Sequence, residues 1–596
     1  MTDFTTRPEI RGTFGVVTST HWIASAVGMA MLEKGGNAFD AAVATGLVLQ
    51  VVEPHLCGPA GDLPAVFHSV TTGTAVLAAQ GPAPAGATIE HYRAQGLSLI
   101  PGSGLLATVI PGAFDGWMLM LRDHGTVTLR EALAPVIHYA GEGHPIMPRV
   151  AATIAGLADY FAAEWPSSAE TWTPGGTPPA PNAIFRNPDV ARTYTRLVEA
   201  GEAAGSDRAA QIDAARDAWA EGFVAEAIFG YLEQAEVHDV SEQKNRAVLA
   251  PADMAGWRAG YEEPVSYDYH GWTLHKTGPW GQGPVLLQSL AILKHFDIAA
   301  MDPRGEEFAH TVIEAMKLSY ADRETYYGDP AQSEVPMAHL LSDAYNAERA
   351  ALIGETASLE QRPGRVPGFE ALAEAYVARA ARDFGVGDVA AQEPTMAHLT
   401  EKRGDTVHLD VIDRWGNCVS ATPSGGWLQS NPVIPGLGFP LNSRAQMFWL
   451  EEGLPTSLAP GRRPRTTLTP TLADHENGAR LVFGTPGGDQ QDQWQLIWFL
   501  RFVHHGMDLQ QALDAPLFHS LHFQGSFFPR EVKPGALLIE PNMAEGAIDG
   551  LRARGHRVSV APEWSVGRLT AALRHPDGVM QAGATPRLMQ AYAIGR

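Results

Sequence analysis

The sequence predicts a large α/β protein, and three observations carry that reading. Apolar and polar residues alternate along Val407–Ile412 and the chain returns along Cys418–Thr422, a period of two that builds strands. Phe308–Tyr327 reads as a helix, with Phe308, Val312, Ala315 and Ser319 on one face. A hydrophobic share of 45% with 61 Gly and 43 Pro describes a globular, loop-rich chain rather than a disordered one. At 596 residues there is material for large cores and for more than one domain.

Taken in order, Gly15–Ser19 reads as a short strand and Trp22–Lys34 as a helix closed by Gly35-Gly36. Asn37–Val52 is a second helix, ending before Pro54. Val76–Gln80 is a strand that runs into Gly81-Pro82. Trp165–Asn182, rich in Pro, Gly, Ser and Thr, is expected to be a surface loop. Ala191–Ala204 and Asp207–Gln234 read as helices with apolar stripes, and Trp272–Thr277 as a strand. The loop Gly278–Pro284 lacks the Lys-Ser/Thr pair of a phosphate-binding loop. Phe369–Phe384 is an amphipathic helix, followed by the polar run Gly385–Arg403. Leu481–Phe483 reads as a strand, then a sharp turn, then the helix Gln490–His505.

Charge and composition exclude several classes. The formal net charge of −23 argues against nucleic acid and anionic membrane surfaces as partners. Two cysteines, Cys57 and Cys418, make neither a disulfide framework nor a zinc site, and the 22 histidines show no metal-ligand spacing, so no metal and no cofactor are expected. The longest apolar stretch, Ala41–Val52, is too short to span a bilayer, and Met1–Pro8 shows no basic-then-apolar leader, so a cytoplasmic protein is expected.

The hairpin places Thr406 at the start of a strand, just after Arg403-Gly404-Asp405. Taken alone, Thr406 is an ordinary β-branched residue opening that strand. The surrounding sequence changes this. Leu32–Ala44, Tyr320–Pro330, the Thr406 hairpin, Leu441–Phe448, Arg463–Thr471 and Leu481–Asp489 together resemble the gamma-glutamyltranspeptidase family of N-terminal nucleophile hydrolases. The resemblance runs over nearly the whole chain and implies a four-layer α-β-β-α sandwich. It also implies a proenzyme cut between Asp405 and Thr406, giving a large chain 1–405 and a small chain 406–596 that stay together as one intertwined domain. The freed Thr406 would carry a hydroxyl nucleophile and an α-amine of pKa about 8, able to accept a proton near neutrality.

The same resemblance assigns the other site residues. Ser424 matches a hydroxyl residue that contacts the nucleophile. Gly487 and Gly488 match the oxyanion-hole glycines, whose backbone approaches a substrate without a Cβ. Asp489 follows them where the family often has Ser, as a substrate-binding candidate and an expected helix cap. Thr466 and Thr467 match a pair of substrate-contacting hydroxyl residues, with Arg465 a second cation beside them, and Asn442 opens the segment that holds the substrate's amine. Two anchors of a γ-glutamyl group are changed. Gln80 stands where the family has a carboxylate-binding Arg, and Arg444 and Met447 where it has an amine-binding Gln and Asp; Gly426 replaces a family Asn. An ammonium at Arg444 would meet a like charge, worth several kcal/mol of repulsion at about 4 Å.

The sequence therefore points to a small-molecule amide substrate and an acyl ester on Thr406. The automatic family label is gamma-glutamyltransferase or glutathione hydrolase, with a role in glutathione metabolism. An oxamate amidohydrolase-like or cephalosporin acylase-like member fits the changed anchors better. The competing class is an uncleaved relative that only binds a small anion. Transfer versus hydrolysis, and any higher oligomer, stay open.

Overall fold

The computed structural model describes residues 4–381 and 406–596. Its frame is two seven-stranded antiparallel sheets packed face to face. Fourteen strands build them: β1 Ile10–Gly12, β2 Gly15–Ser19, β3 Leu63–Ser69, β4 Gly73–Ala79, β5 Gly260–Glu262, β6 Val265–Tyr269, β7 Trp272–Lys276, β8 Leu409–Asp413, β9 Cys418–Ala421, β10 Thr471–His475, β11 Arg480–Gly484, β12 Thr570–Arg574, β13 Met580–Ala584 and β14 Tyr592–Gly595. One sheet runs β1-β13-β12-β11-β10-β7-β6 and the other β14-β2-β8-β9-β3-β4-β5. Both sheets contain strands from before and after Thr406, so neither sheet can form from one half of the chain alone.

Alternation along the strands explains the layering. In β8, Val411 and Leu409 join a core with helices α1 (Trp22–Glu33), α2 (Ala38–Val52) and α3 (Ala113–His124), while Ile412 faces the other sheet. Val16, Val66 and Cys418 meet Leu472, Val482 and Ala572 in the thin core between the sheets. On the far side, Leu274, Leu481 and Phe483 pack under α4 (Pro284–Leu293), α5 (Glu306–Tyr326) and α6 (Gln491–His504). The result is the expected α-β-β-α sandwich.

Several sequence expectations change in detail. Trp165–Asn182 is not wholly a loop: Pro166–Trp172 is a helix with Pro at its first position, pinned by buried Trp165 and Trp172, and Trp165 Nε1 donates to the His238 carbonyl at 2.9 Å. Asp207–Gln234 splits into Arg208–Ala220 and Phe223–Leu232, where Gly222 interrupts the helical dihedrals. α5 is buried on every side from Phe308 to Tyr326 rather than along one face. The Phe369–Phe384 helix is described as Glu370–Ala380; residues 382–384, the run 385–403 and Asp405 lie outside the described residues. No helix among the described residues is long and apolar enough to cross a membrane.

Candidate active site

The hairpin carrying Thr406 is built by its turn. Asp413 Oδ1 accepts the backbone N–H groups of Trp415, Gly416 and Asn417, and Oδ2 accepts Ala38 N and Asn417 Nδ2. That ties the turn to the start of α2 and fixes the register Leu409↔Ala421. The regular ladder begins at Leu409; Thr406 itself pairs with Ser424 through an isolated antiparallel bridge, and Val407 N donates to the Pro423 carbonyl. Thr406 is buried, with its Oγ1 3.3 Å from Ser424 Oγ.

On the same strand, His408 and Asp410 face the second sheet. His408 Nε2 is 2.9 Å from Asp410 Oδ1, and its Nδ1 is 2.9 Å from Thr422 Oγ1. Asp410 Oδ2 also accepts the hydroxyls of Thr18 and Thr570, at 2.9 and 2.8 Å. The His408 ring lies flat against Gly484, where a Cβ would sit 2.2 Å from Cε1. This contact joins the Thr406 strand to the strand that delivers the Gly487-Gly488 turn.

That turn follows Gly484-Thr485-Pro486 and enters α6 through a short 3-10 turn, Gly488–Gln490. Gly487 has φ +128° and Gly488 +54°, values an L side chain resists, and a Cβ on Gly487 would lie 2.3 Å from the Trp494 ring. Amides at a helix start have no intrahelical acceptor. Asp489 does not cap the helix: its carboxylate instead pairs with Arg323 Nη1 at 2.6 Å and accepts Ser526 N and Ser526 Oγ at 2.9 and 2.6 Å.

Arg444 lies close to Thr406 through a short chain of contacts. Its guanidinium stacks 4.9 Å over the Trp427 ring, whose Nε1 is 3.2 Å from Ser424 Oγ. Its Nε donates to Asp62 Oδ1 at 2.9 Å, and Asp62 is bridged to Ser424 by two backbone hydrogen bonds. Gly425, at φ +75°, lets the loops close: a Cβ there would be 2.7 Å from Asp62 Oδ1. Nη1 and Nη2 of Arg444 are buried without a partner, and so is Asp62 Oδ2. Burial raises the Asp62 carboxyl above the usual range, and Arg444 pulls it partly back. Arg444, read from the sequence as a cation for an anionic substrate group, is half of an ion pair. Nothing in the Cys57–Asp62 stretch announced Asp62 except an acid set in a run of small and apolar residues.

The other sequence-derived residues divide. Thr467 Oγ1 and Gln80 Oε1 are buried without a protein partner, and Gln80 Nε2 donates weakly to the Gly81 carbonyl at 3.5 Å. Thr466 bridges to Gly281, and its hydroxyl accepts Leu468 N at 3.3 Å. Asn442 is saturated by backbone: it accepts Val109 N and donates to Ala60 O and Val109 O. It straps three segments together instead of presenting its amide to a ligand. Arg465 is committed to Glu324 at 2.6 Å and to Ser526 Oγ at 2.7 Å. Met447 joins Trp427 and Phe527 in a small apolar cluster.

Sequence spacing also missed a group of metal-ligand type. His310, Glu314 and His556 come together, with His310 Nδ1 2.9 Å from His556 Nε2. Glu314, however, already bonds Lys317 at 2.6 Å and Arg362 at 2.9 Å, so two cations hold the carboxylate a metal would need. Both cysteines are free and buried, and burial pushes the Cys57 thiol up, against the thiolate form.

A family model described as Gamma-glutamyltranspeptidase matches residues 24–595. The glutathione hydrolase-like YwrD proenzyme of Bacillus subtilis (strain 168) is 29% identical, over 97% of this chain and 98% of its own. Among solved structures, LmbA2991HD is 51% identical with a TM-score of 0.91, covering 100% of both chains. A cephalosporin acylase from Bacillus halodurans is 26% identical with a TM-score of 0.82, over 100% of this chain and 98% of that one. Both structures share the sandwich over its full length, and the sequence match extends across both sides of Thr406. This chain belongs to the gamma-glutamyltranspeptidase family, whose members are self-processing amidohydrolases and acyltransferases.

Proposed function

We propose that the chain cuts itself between Asp405 and Thr406 and then hydrolyses an amide whose acyl group carries a carboxylate. Thr406 Oγ1 attacks the amide carbon while its freed α-amine takes the hydroxyl proton. The oxygen, now negative, is held by the Gly487 and Gly488 amides. The tetrahedral intermediate collapses, the C–N bond breaks, and the leaving nitrogen takes the proton from the α-amine. Water then attacks the Thr406 ester by the same route and releases the carboxylic acid. Ser424 Oγ, 3.3 Å from Thr406 Oγ1, orients the nucleophile.

The observation that carries the substrate class is Arg444. Both terminal guanidinium nitrogens are buried with no protein partner, which leaves them open to a ligand. Their planar fork matches a carboxylate. With Gln80 in place of the family's Arg and Met447 in place of an Asp, the usual γ-glutamyl anchors are missing. A short acyl group such as an oxamate- or dicarboxylate-derived amide fits better. The test is a substrate panel on processed enzyme: amides bearing an acyl carboxylate should turn over faster than matched amides without one. Equal rates on glutathione and on carboxylate-bearing amides lacking an α-amine would remove the substrate assignment.

A further inference from the structure

We infer that Arg323, on α5, is a positioning residue for the oxyanion turn, acting through Asp489 and Ser526; this rests on Gly487 and Gly488 being the oxyanion donors. A Gly-Gly turn has no side chains to hold its own amides in place. Here the next residue is clamped from both ends. The Asp489 carbonyl accepts the Tyr320 hydroxyl at 2.6 Å and Gln282 Nε2 at 3.5 Å. Its carboxylate takes Arg323 Nη1 at 2.6 Å and both donors of Ser526. Arg323 is in turn fixed by Gln282 Oε1 and Glu324 Oε1, each at 2.7 Å, and lies 4.5 Å over the Tyr320 ring, which stacks on Phe523 at 4.0 Å.

The node is a chain of buried ion pairs, with Arg530 and Arg379 as further cations near Glu324. Arg323 and Arg465 pair with Glu324 and Asp489, and Ser526 Oγ joins Arg465 to Asp489. Arg323 and Asp489 are both fully buried. Four separate segments meet at Asp489: α5, the Gly278–Pro284 loop, the loop at Ser526 and the start of α6. A shift at any of them reaches Gly488, whose carbonyl carbon is bonded to the clamped residue and whose N–H sits two bonds further back. Preorganised donors stabilise the transition state because they need not move when charge develops. A helix cap would have fixed only the helix; this arrangement fixes the turn against α5, a neighbouring helix of the same layer.

The experiment compares processed Asp489→Asn, Arg323→Lys and Ser526→Ala with wild type, with rates expressed per folded enzyme. Lysine keeps the charge but cannot reach Asp489, Gln282 and Glu324 together. We expect kcat to fall about 10- to 100-fold in the first two and less in Ser526→Ala, which removes one hydroxyl and keeps every charge. KM should stay within about twofold, since the clamp serves the transition state alone. The double variant Asp489→Asn/Arg323→Lys should be no slower than the slower single variant. Folded variants with wild-type kcat, or with KM raised and kcat unchanged, overturn the inference; if the charge variants do not fold, Ser526→Ala decides it by the same readouts. Gly487→Ala is measured alongside. Wild-type kcat there removes the oxyanion reading itself, whereas loss of kcat there with normal Asp489→Asn removes only the clamp.

Discussion

Removing Arg444 tests the substrate class most sharply, because its pairing lets the effect be sized. Two charge-assisted hydrogen bonds to a substrate carboxylate are worth about 2–4 kcal/mol net, which is ~30- to 700-fold in kcat/KM. Arg444→Gln alone would also strand the buried Asp62 carboxylate, at a cost of about 3–5 kcal/mol of stability. The Arg444→Gln/Asp62→Asn pair removes both charges and keeps both shapes, so it should fold where the single variant does not. The assay is kcat/KM on two amides that differ only in whether the acyl group ends in a carboxylate or a methyl ester. The double variant should lose its 30- to 700-fold on the acid and almost nothing on the ester. Equal losses on both would make Arg444 structural and refute the reasoning.

Three further outcomes follow from the geometry. Gly487→Ala places a Cβ 2.3 Å from Trp494 at φ +128°, so it should cost about 1–3 kcal/mol of stability by thermal unfolding, besides its effect on kcat. Asn442→Ala leaves the Val109 and Ala60 backbone groups without their partners, so stability should drop by about 1–3 kcal/mol while KM holds; a raised KM in a stable variant would return Asn442 to the substrate site. His519, which accepts Trp494 Nε1 at 3.3 Å, has its pKa pushed down to about 3 by burial, so the folded state stays neutral while the unfolded state protonates below about 6.5. The unfolded state then binds the extra proton, and stability falls by about 1.4 kcal/mol per pH unit as pH drops below 6.5. Chemical denaturation at pH 7 and pH 5 should show this share missing from His519→Gln; an unchanged pH slope would contradict it.

Much of the site was legible because its chemistry is local. The alternation of Val407–Ile412 and the Asp413–Asn417 turn give the hairpin, with Thr406 in a bridge three residues before the regular strand, and the strand-turn-helix reading of Leu481–His505 puts the paired glycines in the turn. What stayed hidden depends on pairing across the chain. Asp489 reads as a cap because a cap is the only role a neighbouring helix can suggest; its true partner, Arg323, lies 166 positions away. The partner of Arg444 cannot be read from the sequence because Asp62 is 382 positions off. Arg465 looks available for substrate until Glu324 is seen beside it. The Pro166–Trp172 helix was masked by its turn-forming composition, since Pro at a first position begins a helix as readily as it ends one.

The central claim is that Thr406 becomes an N-terminal nucleophile, and intact mass of freshly purified wild type beside Thr406→Ala tests it most directly. The account predicts two fragments in the wild type, at masses set by a cut between Asp405 and Thr406, and one uncut, inactive chain in the variant. An uncut wild type, or a variant that still yields the same two fragments, would contradict it.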